Sequence, residues 1–244
     1  MSAQQALLEP SPRPGTITDA DIPALNARWS GAPAAEILDY AIGELFPGRI
    51  ALVSSFGTEA AVLLHLVSKV DPKTPVVFLE TEKHFAQTLQ YRNALERRLG
   101  LEDLRSIRPS AKALEAEDPD GDLWRSDTEA CCDLRKVRPL ADALEPFNAW
   151  ISGRKQFHGA GRARLPVFEA SRTHIKVNPL ANWSKDEVAQ YMSEHDLPSH
   201  PLADQGFASI GCWPCTHPIT DGEDVRAGRW PGAGKTECGI HTRL

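Results

Sequence analysis

The sequence lacks a long hydrophobic stretch. No apolar run in its 244 residues reaches the roughly 18 that a membrane-spanning helix needs, which excludes an integral membrane protein. The first residues also lack a basic region followed by an apolar stretch, so no secretory signal is predicted. Positive charge is scarce as well, since 27 Lys and Arg face 33 Asp and Glu, a formal net charge of −6. Such a chain is a poor general binder of nucleic acid or anionic lipid, and we expect a cytoplasmic protein that binds neither nucleic acid nor membrane.

Cysteine is sparse and odd in number. The chain has five cysteines and no predicted secretory signal, which argues against a disulfide framework. Reduced thiols then indicate a metal, a cluster or a nucleophile. Two pairs and a single residue make up the set, namely Cys131 and Cys132, Cys212 and Cys215, and Cys238.

The composition is that of a globular protein. Hydrophobic residues make up 41% and charged residues 25% of the chain. The length suits one large domain or two small ones. Residues 1–15 include Pro10, Pro12 and Pro14 and are predicted to form a disordered leader. After Pro198 the sequence is rich in Pro and Gly, so residues 199–244 are expected to form an irregular tail wrapped on the domain.

Between these ends, short apolar runs alternate with segments of helical periodicity. The predicted strands lie at residues 50–53, 76–79, 104–107 and 150–152. The predicted helices lie at residues 33–46, 59–68, 84–99 and 128–144, with a capped helix from Ser184 to about His195. This alternation predicts an α/β fold with a mostly parallel sheet flanked by helices.

A turn of small residues, Ser54-Ser55-Phe56-Gly57, follows the first predicted strand and precedes a predicted helix. Backbone N–H groups and a helix dipole at such a turn can bind phosphate. Any strand-to-helix turn favours small residues, however, and the turn matches neither the Walker loop nor the dinucleotide glycine pattern. From the turn alone, the phosphate-binding and purely structural interpretations are equally favoured.

The paired cysteines have metal-ligand spacing. Cys212 and Cys215 form a CxxC pair that can hold one ion or cluster. Cys131 and Cys132 are adjacent and point about 100° apart on a helix, which suits a single tetrahedral zinc poorly and a larger iron–sulfur cluster better. The pattern alone leaves zinc and iron–sulfur equally open, beside a redox CxxC with two core cysteines. Lys136, one turn after Cys132, either offsets thiolate charge, holds a substrate phosphate or is a solvated lysine.

Basic residues cluster in two loops, and each cluster can clamp phosphate or sulfate or simply be a solvated surface. The clusters are Arg154, Lys155, Arg162 and Arg164, and then Arg226 and Arg229. Cys238 stands near the second cluster. Nearby cations would lower the pKa of its thiol and make it a nucleophile, while the alternative is an incidental surface cysteine.

These motifs together resemble a known family. The segments CCDLRKVRPL, SIGCWPCTHP, GEDVRAGRW and KTECGIH, in that order, resemble the assimilatory adenylyl-sulfate (APS) reductases of the phosphoadenylyl-sulfate reductase family. The resemblance extends from about residue 33 to 241 through SSFGTEAAVLLHL, VVFLETEKHF and KVNPLANWSKDEV. The phosphoadenylyl-sulfate branch typically lacks the four paired cysteines, whereas this chain has all five, so the resemblance is to the iron–sulfur branch.

The resemblance implies a PP-loop fold of the adenine nucleotide alpha-hydrolase type and a role for each motif residue. It implies a nucleotide- and cluster-binding domain at residues 16–218 and a mobile catalytic tail at residues 219–244. The implied ligands of a [4Fe-4S] cluster are Cys131, Cys132, Cys212 and Cys215. The implied catalytic residues are Cys238, Lys136 and His241. The implied substrate-binding residues are Ser54, Ser55, Gly57, Glu59, Leu79, Arg162, Arg226 and Arg229.

The implied activity is thioredoxin-dependent reduction of APS to sulfite and AMP, through a cysteine S-sulfonate, in sulfate assimilation and cysteine biosynthesis. The implied partners are APS or AMP and thioredoxin or a glutaredoxin-like dithiol protein, and a homo-oligomer is left open. The alternatives are phosphoadenylyl-sulfate reduction, or a non-catalytic adenine-nucleotide module with a structural zinc. Two stretches depart from the family pattern. Thr81-Glu82 stands where relatives often have Thr-Gly, and residues 230–234 stand where many are aromatic.

Overall fold

The computed structural model describes residues 17–220 and 222–244, so the predicted leader at 1–15 lies outside the described residues. Six strands form one sheet in the order β3-β2-β1-β4-β6-β5. The strands are β1 Ile50–Val53, β2 Val76–Leu79, β3 Leu104–Ile107, β4 Ala149–Ile151, β5 Phe168–Ala170 and β6 Ile175–Val177. All neighbours pair in parallel except β5 and β6, which are antiparallel. The predicted mostly parallel α/β sheet is therefore confirmed.

Helices cover both faces of this sheet. They are α1 Ile22–Trp29, α2 Ala34–Asp39, α3 Ala60–Val70, α4 Ala86–Leu99, α5 Ala111–Glu117, α6 Leu123–Ser126, α7 Thr128–Cys132, α8 Arg138–Leu144, α9 Lys185–Glu194 and α10 Gly239–Thr242. The capping box predicted for α9 is present, with the Ser184 hydroxyl accepting from the Glu187 N–H. α4 ends at Gly100, whose φ of 63° is left-handed.

The predicted long helix at residues 128–144 is confirmed and runs without interruption, but its middle turn is π-helical. α7 and α8 are separated by a π-helical segment, Asp133–Val137, and Pro139 lies in the first turn of α8. Proline has no N–H and cannot continue the α-helical hydrogen-bond ladder. The wider π turn carries Lys136 toward the end of the sheet, in keeping with the occurrence of such turns at functional sites.

Two apolar cores lie on opposite faces of the sheet. In β1, Ile50 and Leu52 face the larger core under α2 and α3, whereas Ala51 faces a smaller core with Trp150 and Leu140 of α8. Side chains on both faces of the central strands are therefore buried, as is typical of parallel sheets. Ligands of such folds bind beyond the carboxyl ends of the strands, and β1, β2 and β4 end at the same edge here.

Residues 199–220 and 222–244 wrap across that edge as a largely irregular segment, as the sequence predicts, with short 3-10 turns and α10, a helix of one turn. Isolated bridges join His84 to Cys212 and Thr216 to Arg229. Gly228 passes so close to the His217 carbonyl that a Cβ at this position would overlap it. None of the helices described here is long and apolar enough to traverse a membrane.

Candidate active site

One cavity lies where the sheet edge meets the C-terminal segment. Its walls include the small-residue turn after β1, the end of β2, the basic loop after β4 and the tail. It contains every substrate-binding and catalytic residue that the family resemblance implies, namely Ser54, Ser55, Gly57, Glu59, Leu79, Lys136, Arg162, Arg226, Arg229, Cys238 and His241. The turn after β1 leads directly into α3, whose N-terminus faces this space.

A buried ionic network forms one side of the cavity around Glu59. Lys155 Nζ lies 2.8 Å and His158 Nε2 3.1 Å from Glu59 Oε2. Burial alone would raise the pKa of Glu59, but the His158 hydrogen bond and the Lys155 charge lower it to about 2. Arg162 Nη1 donates to His158 Nδ1 at 2.9 Å, which leaves His158 Nε2 to carry the proton that Glu59 accepts. Sequence reasoning placed Lys155 only in a basic loop and missed His158, which no motif singles out.

Two arginines of the cavity converge on a tail carboxylate. Arg162 binds Glu237 through two hydrogen bonds of 2.7 and 2.9 Å, and Arg226 Nη2 lies 3.2 Å from Glu237 Oε1. The same carboxylate oxygen accepts the Cys238 N–H at 2.9 Å. Burial would raise the pKa of Glu237, but the hydrogen bonds from Arg162 and the surrounding cations lower it to about 2. The carboxylate is therefore ionised at neutral pH. The sequence offered only its position next to Cys238 as a signal.

Cys238 occupies the N-cap position of α10 and is partly accessible from the cavity. A hydrogen bond from Cys132 lowers the pKa of its thiol, burial opposes this, and the charges of Lys136 and Arg229 lower the pKa further, to well below the usual value. Burial would lower the pKa of Lys136, but its electrostatic interactions with the surrounding cysteines, Cys238 among them, raise it. A thiolate at Cys238 beside a charged Lys136 is the expected state of a nucleophilic cysteine.

His241 is fixed from below by residues of the sheet. Its ring stacks on Trp150 with centroids 5.6 Å apart, and Lys176 Nζ donates to its backbone carbonyl at 3.0 Å. Lys176 is buried and lies 5.3 Å from the centroid of the same Trp150 ring. Burial lowers the pKa of His241 well below its usual value, so its ring is neutral. Lys176 is a charged residue inside a strand, and sequence reasoning did not identify it.

The paired cysteines lie behind the cavity, and all four are buried and reduced. Burial and the charge of Cys212 raise the pKa of Cys131 to about 11, and Cys215 adds to this, so thiols from two distant segments face one another. Within residues 17–220 and 222–244, no three His, Cys, Asp or Glu side chains are placed to bind a single metal ion. Four buried thiols drawn from two distant segments are a donor set that both zinc and iron–sulfur clusters use.

A buried ion pair links the segment after Cys132 to the segment that contains Cys212. Arg135 Nη2 lies 2.7 Å from Asp118 Oδ2, and Arg135 Nη1 donates to the Thr81 carbonyl at 2.9 Å. The Thr81 hydroxyl lies 3.3 Å from Cys212 Sγ. Glu82, at the position where relatives often have Gly, has a left-handed φ of 60°. This departure from the family pattern thus falls on a backbone conformation that favours glycine.

The basic loops are only partly used by the cavity. Arg164 is exposed and does not line the cavity, which favours the solvated surface among the two interpretations of this loop. Arg154 is buried in the cavity wall and is paired with Glu169. Trp230, at the second departure from the family pattern, is buried against Arg229, whose guanidinium lies 4.5 Å from the ring centroid.

Comparisons with known proteins agree with this geometry. The phosphoadenosine phosphosulfate reductase domain family matches residues 49–218. The adenosine 5'-phosphosulfate reductase of Mesorhizobium japonicum is 50% identical over 217 residues, which are 89% of this chain and 85% of that protein.

Solved structures agree with the sequence matches. The phosphoadenylyl-sulfate (PAPS) reductase from Candida auris, a phosphate complex, has a TM-score of 0.72 and 28% identity, over 84% of this chain and all of that one. Candida glabrata FMN adenylyltransferase in complex with ATP, at 16% identity and a TM-score of 0.54, covers 91% of this chain and 72% of its own and shares the fold alone. The predicted PP-loop type is therefore confirmed. Relatives match most of this chain, and its cavity at the strand ends has a cysteine in the wall. The chain therefore belongs to the phosphoadenosine phosphosulfate reductase domain family.

Proposed function

We propose that this chain is an oxidoreductase that reduces APS to sulfite and AMP, with a dithiol protein such as thioredoxin as reductant, in sulfate assimilation. The observation that carries the proposal is the position of Cys238, whose thiol opens into the same cavity as the turn after β1 and stands beside Lys136. The identity to adenosine 5'-phosphosulfate reductases supports APS as the substrate.

The first step is attack of the Cys238 thiolate on the sulfur of the sulfate group. A sulfur–sulfur bond forms, the bond from that sulfur to the bridging oxygen breaks, and its electron pair leaves on the phosphate oxygen of AMP. Lys136 and Arg229 surround the thiolate and stabilise the charge that develops on the departing oxygens. The product is an S-sulfonate on Cys238.

The second step is thiol exchange with the reductant. One thiolate of the dithiol protein attacks the Cys238 sulfur and expels sulfite with the electron pair of the sulfur–sulfur bond. The second thiol then releases the free Cys238 thiol and leaves a disulfide in the reductant. The reductant must reach the Cys238 adduct, which supports a tail at residues 219–244 that moves away from the domain at residues 16–218.

The substrate-binding roles divide along the cavity wall. In this proposal Ser54, Ser55 and Gly57 of the turn and the Glu59 network hold the nucleotide, while Leu79 packs beside the adenine. Arg162, Arg226 and Arg229 bind the anionic groups, and the neutral ring of His241 shapes the cavity next to Cys238.

We further propose that Cys131, Cys132, Cys212 and Cys215 hold a [4Fe-4S] cluster. Their burial, their convergence and the neighbouring Lys136 support it. The bound cluster supplies structure and electrostatic tuning. The reaction is assigned to the cytoplasm, where these thiols stay reduced.

A single assay separates the candidate activities. Sulfite release is measured with thioredoxin and either APS or phosphoadenylyl sulfate, and the expected result is a higher kcat/KM for APS. An equal or reversed ratio would assign the chain to the sister activity. Iron and labile sulfide in anaerobically purified protein test the cluster, and zinc in their place with no sulfite release would leave a nucleotide-binding module.

A further inference from the structure

The Glu237 carboxylate is bound as an anion by two arginines and is mostly shielded from solvent. Both of its oxygens take part in charged hydrogen bonds, two from Arg162 and one from Arg226. Its side chain is 21% exposed, while those of Arg162 and Arg226 are 9% and 14% exposed. Bidentate guanidinium–carboxylate contacts of this kind are among the strongest charged hydrogen bonds in proteins.

Neither guanidinium has another acidic partner among the described residues, although the backbone N–H of Arg226 donates to Asp224 Oδ1 at 2.7 Å. The Arg162 guanidinium also donates to His158 Nδ1, and the Arg226 guanidinium donates to the Thr236 carbonyl and lies 5.5 Å from the centroid of the Trp230 ring. Both side chains line the cavity. A guanidinium donates two parallel hydrogen bonds to a carboxylate or to a tetrahedral oxyanion in the same geometry. Either anion can therefore bind Arg162 and Arg226.

Glu237 is also tied to the nucleophile. Its Oε1 accepts the N–H of Cys238, and that oxygen is shared with Arg162 Nη2 and Arg226 Nη2. A change in the position of the carboxylate therefore changes the support of the Cys238 backbone at the start of α10.

We propose that Glu237 is an internal competitor for the substrate oxyanion and a positioning residue for Cys238. The phosphate or sulfate group of the nucleotide and the Glu237 carboxylate exchange on Arg162 and Arg226. Because Glu237 precedes Cys238 directly, each exchange releases the Cys238 N–H from its acceptor and frees the nucleophile segment to move. This inference rests on the proposed function only for the identity of the oxyanion.

The test is ligand binding without turnover. Glu237→Gln removes the charge and keeps the shape, so the arginines are freed for ligand. By calorimetry on the cluster-containing protein, we expect AMP to bind about tenfold more tightly to the variant than to the unchanged protein. Adenosine, which lacks the anionic group, is expected to bind both proteins equally.

A matched control separates competition from simple loosening of the tail. Glu129 binds Lys235 and Arg243 of the tail and touches neither Arg162 nor Arg226. Glu129→Gln therefore loosens the tail and leaves the anion site paired, and its ratio of AMP to adenosine affinity should stay unchanged. Glu237→Asp keeps the charge on a shorter side chain, and a smaller gain for AMP is expected. It provides the same test if Glu237→Gln does not fold.

A further arm identifies the anionic group. In the Cys238→Ser background, APS is bound without transfer of its sulfate group. A gain for AMP and APS alike on adding Glu237→Gln assigns the site to the phosphate, and a gain for APS alone assigns it to the sulfate. If neither ligand gains affinity, or if Glu129→Gln reproduces the gain, the competition is refuted. Binding is measured without sulfite release, so failure of the proposed reaction leaves this result readable.

Discussion

The parallel sheet is held together by buried apolar side chains, whereas the C-terminal segment combines a few buried apolar side chains, among them Ile210 and Trp230, with ion pairs to the domain. Around β1 and β2, Leu38, Leu52 and Phe78 are at most 1% exposed and pack in one continuous core. The tail, by contrast, is anchored through Arg162 to Glu237 and through Arg243 to Asp133 and Glu129. Apolar burial of this extent sets global stability, while the exposed ion pairs of Arg243 contribute little to it.

Because of this difference, the stability of the fold and the chemistry of the site depend on different regions of the chain. The core contributes few ionisable groups to the reaction. The C-terminal segment brings four of them to the cavity, namely Arg226, Arg229, Cys238 and His241. A segment held by reversible ionic contacts can leave the cavity at lower free-energy cost than a strand could leave the sheet. Substitutions in the core should therefore lower the free energy of unfolding, whereas substitutions in the C-terminal segment should lower activity.

The largest effect is expected in the tail. Cys238→Ser should lower sulfite release from APS at least about a thousandfold, because the hydroxyl is a far poorer nucleophile than the activated thiolate. The melting temperature and the visible absorbance of the protein should stay unchanged, since Cys238 is outside the paired set. Loss of the absorbance in this variant would contradict the division of the cysteines.

The opposite pattern is expected in the core. Leu38→Ala, at a fully buried position of α2 that does not line the cavity, should lower the free energy of unfolding by about 2–5 kcal/mol. Denaturant titration measures this loss. The kcat of the folded fraction should match that of the unchanged protein, and a kcat reduced in proportion to stability would show that core and tail are not separable.

A glycine substitution sharpens the comparison inside the tail. A Cβ at Gly211 would overlap the guanidinium of Arg229, the far end of a flexible side chain. Gly211→Ala should therefore move Arg229 and raise KM for APS about tenfold with little change in unfolding free energy. Gly43→Ala is the control, because a Cβ there meets no atom within 4 Å, and it should leave KM unchanged. Equal KM values in both variants would remove Arg229 from substrate binding.

The smallest effect concerns the peripheral anchors. Glu129→Gln removes the carboxylate partner of Lys235 and one of the two partners of Arg243, so trypsin should cleave after these residues about two- to fivefold faster. The difference should shrink at high salt, which screens the same contacts in the unchanged protein. Asp196→Asn breaks an exposed pair with Arg98 that shares no partner with Lys235 or Arg243, and it should leave cleavage unaffected. A salt-independent difference would mean that the tail is held by packing instead.

Several elements were predictable because their signal is local. The strands β1, β2 and β3 have the predicted bounds, and the capping box of Ser184 and Glu187 marks the start of α9. The β5–β6 hairpin was missed, since each strand has three residues and no turn dipeptide separates them. The π turn at Asp133–Val137 was also missed. A single wider turn leaves the apolar residues on both sides of it in a pattern that still predicts one helix.

The sequence by itself determined the fold class, the family resemblance and the candidate residues of the cavity, because strand and helix periodicity and motif spacing are properties of neighbouring residues. Only the tertiary structure decided which charges meet. Arg162 and Glu237 are 75 residues apart in sequence, yet they share two hydrogen bonds. Lys176 is a buried support for His241 because the chain path places the tail over β6. Such pairings depend on burial and on the route of the backbone through space, and no local pattern encodes either.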